Sequence, residues 1–137
     1  MWYSHKFHGP GLRYEIGLCI RTGQIVWVNG GVPCGAWPDL TLARSGFVRA
    51  LLPNEQALAD RGYSGEAKFI TPNTQVRTSQ RQKQIMSRHE TVNARLKQFG
   101  ALQQKFRHEL HLHPLCFYAV ANIVQMTIEN GSLLFSV

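Results

Sequence analysis

Arg88-His-Glu-Thr-Val-Asn-Ala-Arg-Leu-Lys97 is the stretch whose reading decides the fold. Around it, Ile85, Val92, Leu96 and Phe99 recur at helical spacing. The spacing predicts a helix from Ser79 to Phe99 whose apolar stripe must dock on a core. Glu90, Asn93 and Lys97 share a face beside that stripe. Glu90 is the only acid in a window holding eight basic residues: Arg77, Arg81, Lys83, Arg88, Arg95, Lys97, Lys105 and Arg107. One carboxylate in so basic a stretch is either an ion-pair partner on a solvated helix or a metal ligand beside a polyanion. Spacing alone leaves both open.

Upstream, Leu12 to Arg21 begins with polar and apolar residues alternating, which predicts a strand. Thr22-Gly23 turns it, and Gln24-Ile-Val-Trp-Val-Asn29 returns as the second arm of a β-hairpin. Gly30-Gly31 and Pro33 break that arm. Asp39 is placed as an N-cap or early residue of a short helix reaching Leu51. Gln56-Ala-Leu-Ala59 is a short apolar strand that stops at Asp60, with a tight turn after it. A carboxylate at the C-terminal end of a central strand points into the crevice where α/β folds place their chemistry. Lys68 to Thr71 forms another short strand.

Downstream of the basic helix, Gly100 reads as its stop and Ala101 to His111 as a further helical run. His108, His111 and His113 look like a metal cluster, but their offsets do not share one helix face. Pro114 suits the first turn of a last helix to Glu129, closed by Asn130-Gly131. That helix is apolar nearly all round, which predicts that it is largely buried.

The chain has 137 residues, enough for one domain with a real core, and 44% hydrophobic residues, which argues against disorder. No apolar run is long enough to span a bilayer, and the N-terminus lacks the apolar middle of a signal peptide. Three scattered cysteines suggest reduced thiols in an intracellular protein rather than a disulfide framework or zinc site. The net charge of +7 is concentrated between Arg77 and Arg107, favouring phosphate backbones or anionic surfaces. A soluble basic domain with no nucleic-acid role is the plain alternative.

Asp60 at a strand end and Glu90 on a helix are the two carboxylates that one crevice could use for magnesium or manganese. Together the pieces resemble a known family, the DDE superfamily endonuclease domain of Harbinger-type and related transposases. The resemblance rests on Tyr3-Ser-His-Lys6, Gly23-Gln-Ile-Val-Trp-Val28 and Pro33-Cys-Gly-Ala-Trp-Pro-Asp-Leu40. It continues through Ala59-Asp-Arg-Gly-Tyr-Ser-Gly65, Glu90-x-x-Asn93-x-x-x-Lys97, Phe106-Arg107 and Ala119-Val-Ala-Asn-Ile123. It implies a ribonuclease-H-like α/β fold over 1–137 and a Mg2+ or Mn2+ cofactor. The implied substrate is DNA, as transposon ends or target, in the nucleus. By the same resemblance Asp60 and Glu90 are the catalytic, metal-holding acids, and Asp39, Asn93 and Lys97 support them. The eight basic residues from Arg77 to Arg107 are the expected DNA contacts.

The family's first catalytic Asp lies on a first core strand upstream of Tyr3-Ser-His-Lys6, so the expectation is a truncated domain lacking that strand. Cleavage by this chain is then expected to be weak or undetectable. The competing reading is a non-catalytic, transposase-derived module that binds nucleic acid or protein, including self-association or a separate DNA-binding partner. A basic RNA-binding domain would want clustered exposed aromatics, for which Trp27 and Tyr14 are thin support.

Overall fold

A computed structural model describes residues 3–4, 9–72 and 79–135. The expectations that rest on His5, Lys6 and Arg77 lie outside the described residues. The architecture is mixed α/β, with small two-stranded sheets and helices. The chain divides into two compact units, the first of residues 1–15 and 29–86, the second of residues 16–28 and 87–137. The expected hairpin is present as β3 (Leu12–Leu18) and β4 (Ile25–Pro33), after the two-residue strands β1 (Tyr3–Ser4) and β2 (Gly9–Pro10), but Gly30-Gly31 do not break its second arm, which runs through them to Pro33. Its base belongs to the first unit and its tip to the second.

In the first unit, the helix predicted to reach Leu51 is two pieces, α1 (Asp39–Ser45) and α2 (Phe47–Ala50), broken at Gly46. Beyond them β5 (Ala57–Leu58) pairs in parallel with β6 (Phe69–Ile70). The pair is short, and Lys68 ties the loop before β5 to it: its Nζ donates to the carbonyls of Leu52 and Pro53 at 2.7 and 2.8 Å. Leu42, Ala43 and Phe69 form the buried centre. Phe69 is stacked on Phe47 at 5.9 Å and met by the Tyr63 ring at 4.9 Å.

In the second unit, the basic segment forms the later turns of α3 (Gln80–Leu96), which starts within the first unit. Ser79 and Gln82 start this helix reciprocally: Gln82 N–H donates to Ser79 Oγ at 3.2 Å and Ser79 N–H to Gln82 Oε1 at 3.2 Å. Val92 and Leu96 are buried, as their spacing required. Gly100 does not stop α3; it opens the single turn α4 (Gly100–Gln103), and the run predicted to His111 is otherwise irregular until a 3-10 turn at Leu110–Leu112. The last helix, α5 (His113–Glu129), buries Phe117, Val120, Ala121, Val124 and Ile128. Its other side is exposed, with Leu115 at 65% and Met126 at 59%, so the expected burial all round does not hold. The tip of the hairpin is tied to α5 by Ile25 N–H donating to Gln125 Oε1 at 2.7 Å. Among the described residues no helix is long and apolar enough to cross a membrane.

Candidate functional site

Asp60 lies two residues past β5, just beyond the C-terminal end of a parallel strand as its position in sequence suggested. There it caps a 3-10 turn, Arg61–Tyr63, its Oδ1 accepting the Gly62 N–H at 2.9 Å. Of the two places expected for Asp39, N-cap or early helical residue, the structure has the second. Pro38 occupies the N-cap position of α1, and no side chain caps the helix. Proline, with its fixed φ, already sets the chain's approach to the helix, leaving Asp39 as the first helical residue with its carboxylate directed elsewhere. Its Oδ1 lies 3.1 Å from Arg13 Nε, while Arg13 Nη1 donates to the Trp37 carbonyl.

The two aspartates meet over Gly62. A Cβ placed on Gly62 would fall 2.8 Å from Asp39 Oδ2 and 3.1 Å from Asp60 Oδ1. A Cβ there would crowd both carboxylates, so one of them would have to shift, and the two acids meet over the space the glycine leaves open. Tyr63 is half-buried beside them. Burial, and then the negative charges of Glu15, Asp39 and Asp60, raise its phenol far above the ordinary 10.0, so the hydroxyl stays protonated. Glu15, 5% exposed, is the buried charged residue of this region.

Three segments distant in sequence thus deliver Arg13 and Glu15 from β3, Asp39 from α1, and Asp60 with Gly62 and Tyr63 from the turn after β5. Sequence reasoning missed Arg13, Glu15, Gly62 and Tyr63 as site residues. A signal existed: positions 13 and 15 lie on one face of a strand, and two charged residues on an inward face ask for partners.

Carboxylate oxygens are the donor type that hard divalent cations take, and two carboxylates meet over Gly62. Among the described residues no group of three or more His, Cys, Asp or Glu converges in metal-binding geometry. The histidines are otherwise engaged: Phe106 is met edge-on by His108 at 5.5 Å and His113 at 4.8 Å, and exposed His111 pairs with Glu109 at 3.4 Å.

The remaining predicted residues belong largely to the second unit. Glu90, Asn93 and Lys97 are all exposed, the first two on α3 and Lys97 just past its end. The basic residues divide into two kinds. Arg88 donates to the Ile20 carbonyl at 2.7 Å and stacks over the Phe135 ring at 4.2 Å. Arg95 donates to the carbonyls of Ser132 and Leu133, the latter at 2.9 Å. Both are half-buried and hold the C-terminal segment in place. Arg81 and Lys83 in the first unit, and Lys97, Lys105 and Arg107 in the second, are exposed.

The two carboxylates lie just past the C-terminal end of a parallel strand, where α/β folds place their ligand sites. The family is more specific. The model of the DDE superfamily endonuclease family matches residues 1–127, and the chain belongs to that family. This supports a transposase-like nuclease domain. No curated protein and no solved structure gives a significant match.

Proposed function

We propose that this chain is the ribonuclease-H-like catalytic domain of a Harbinger-type transposase, acting on DNA in the nucleus with Mg2+ or Mn2+. The observation that carries this reading is the meeting of Asp39 and Asp60 at a parallel strand end in a member of an endonuclease family. In the proposal Asp60 and Glu90 are the acids that hold the cation, with Asn93 and Lys97 beside Glu90 on its helix face. A divalent cation there supplies charge neutralisation at the phosphodiester and activation of the attacking oxygen. Arg81, Lys83, Lys97, Lys105 and Arg107 hold the DNA backbone through its phosphates.

The test is binding of purified protein to duplex DNA with and without Mn2+, followed by nicking of supercoiled plasmid. The reading expects salt-sensitive binding that Mn2+ strengthens, with that strengthening lost in Asp60→Asn and Glu90→Gln. Binding indifferent to salt and metal contradicts it. A second reading, a DNA-binding module that does not cut, is favoured by the exposed cations, which need no metal to engage phosphates. Salt-sensitive binding that Mn2+ does not strengthen, with no nicking at any metal concentration, selects it.

A further inference from the structure

The second unit leaves few of its cations available. Arg88 and Arg95 are taken by backbone carbonyls and a ring. Lys105 and Arg107 are not: both are exposed, two positions apart, on the irregular segment between α4 and α5. We infer that this segment, residues 104–109, is a clamp for the phosphate backbone of DNA, and that Phe106 is the positioning residue that presents its two cations together. This rests on the DNA-binding reading above and names, within it, a surface and the residue that builds it.

The backbone does little to hold the segment. Its regular bonding ends at the Gln104 N–H, which donates to the Gly100 carbonyl at 3.0 Å, and resumes at the Leu112 N–H, which donates to the Glu109 carbonyl at 2.9 Å. Among the described residues no N–H of residues 105–109 donates a hydrogen bond. A side chain holds it instead. Phe106 is half-buried and met edge-on by His108 at 5.5 Å and His113 at 4.8 Å. His113 is the first residue of α5, so the ring ties the segment to the start of a helix anchored by buried Phe117 and Val120. Burial alternates along it, exposed at Lys105, half-buried at Phe106 and exposed at Arg107. With the ring turned in, both cations turn to solvent. They are at most about 7 Å apart along the chain, close enough to serve one run of phosphates. Glu109, the acid of this segment, lies 3.4 Å from His111 Nδ1. Among the described residues neither Lys105 nor Arg107 has an ion-pair partner. A pair arranged in advance engages an anionic backbone without first ordering the loop. The partner is backbone rather than bases, because stacking asks for an open aromatic face and Phe106 is half-buried against two imidazoles.

Binding of the full 137-residue chain to a duplex of mixed sequence, followed by fluorescence anisotropy between about 50 and 200 mM salt, separates a positioning ring from a merely structural one. Lys105→Ala and Arg107→Ala are each expected to lower the slope of log affinity against log salt by about 0.9. Phe106→Ala removes no charge, yet it is expected to lower the slope nearly as far as the two together. Combined with either cation variant it should leave little more to lose. Phe106→Leu keeps an apolar anchor and is expected to retain most of the slope. A Phe106→Ala protein that melts earlier but keeps the wild-type slope overturns the positioning role. So does a Phe106→Leu protein that loses affinity as fully as Phe106→Ala at unchanged slope, which is the signature of base stacking. Unchanged slopes in Lys105→Ala and Arg107→Ala, with wild-type binding still salt-sensitive, overturn the clamp and leave the DNA-binding reading standing. Wild-type protein that binds no duplex overturns both. Thermal melts identify any variant that fails to fold, and the two exposed cation variants with Phe106→Leu keep the inference open to refutation if Phe106→Ala does not.

Discussion

The first unit collects acids and the second spends much of its positive charge on itself. Asp39 and Asp60 are separated by two short helices and a strand, yet their carboxylates meet over Gly62. Arg88 and Arg95 lie in the most basic stretch of the chain, yet their guanidinium groups grip backbone carbonyls and an aromatic ring. Charge density along a sequence is therefore a poor guide to where charge is available. A carboxylate shown to solvent beside a glycine is worth more to a ligand than an arginine already satisfied by its own chain.

The contrast is sharpened first by core variants. Val92 is fully buried in the second unit, so Val92→Ala should cost about 2–3 kcal/mol from lost transfer energy and the cavity left behind. Leu115→Ala on the exposed side of α5 should stay within about 0.5 kcal/mol. Urea denaturation measures both, and equal losses would mean that the exposed side of α5 is covered in solution.

Arg88 and Lys97 come next, because they look alike in sequence. Arg88→Ala removes a charge-assisted bond and a cation–π contact and should cost about 1–2 kcal/mol. Lys97→Ala should leave stability within about 0.5 kcal/mol but lower the slope of log DNA affinity against log salt by about 0.9. If Arg88→Ala changes only the salt slope, the structural use of that arginine is wrong.

The smallest effects are in pH, and they have opposite signs in the two units. Tyr63 has its pKa raised, so its contribution is complete below pH 10.0 and is lost as pH rises through the folded value. Burial lowers the pKa of His113, so its contribution is complete above pH 6.5 and is lost as pH falls through the folded value. Amide exchange resolved by residue should show the first unit loosening in alkali and the second in mild acid. Tyr63→Phe should flatten the former and His113→Phe the latter.

Much of the frame was legible because it is local. The hairpin, the strand before Asp60, and the docked face carrying Val92 and Leu96 all follow from period and turn chemistry within about ten residues. The family pattern singled out Asp60 and Asp39, whose carboxylates the structure brings together over Gly62. What could not be read was direction. Asp39 has good N-cap chemistry, but Pro38 sits one residue earlier and takes that position, freeing the carboxylate for Arg13 and the space over Gly62. Gly62 read as a turn residue, because the reason for its missing side chain lies in an acid twenty-three positions away in sequence. The exposed side of α5 was misjudged for a related reason: composition shows that a helix is apolar, not how many neighbours the rest of the chain supplies.

The most direct test of the carboxylate site is paramagnetic broadening of amide resonances in the 1H–15N spectrum as substoichiometric Mn2+ is added to the full chain. The account predicts that the amides of Asp39, Asp60, Gly62 and Tyr63 broaden first, ahead of those of His108, His111 and His113. Broadening that begins at the histidines, or that spreads evenly over the exposed acids, would contradict it.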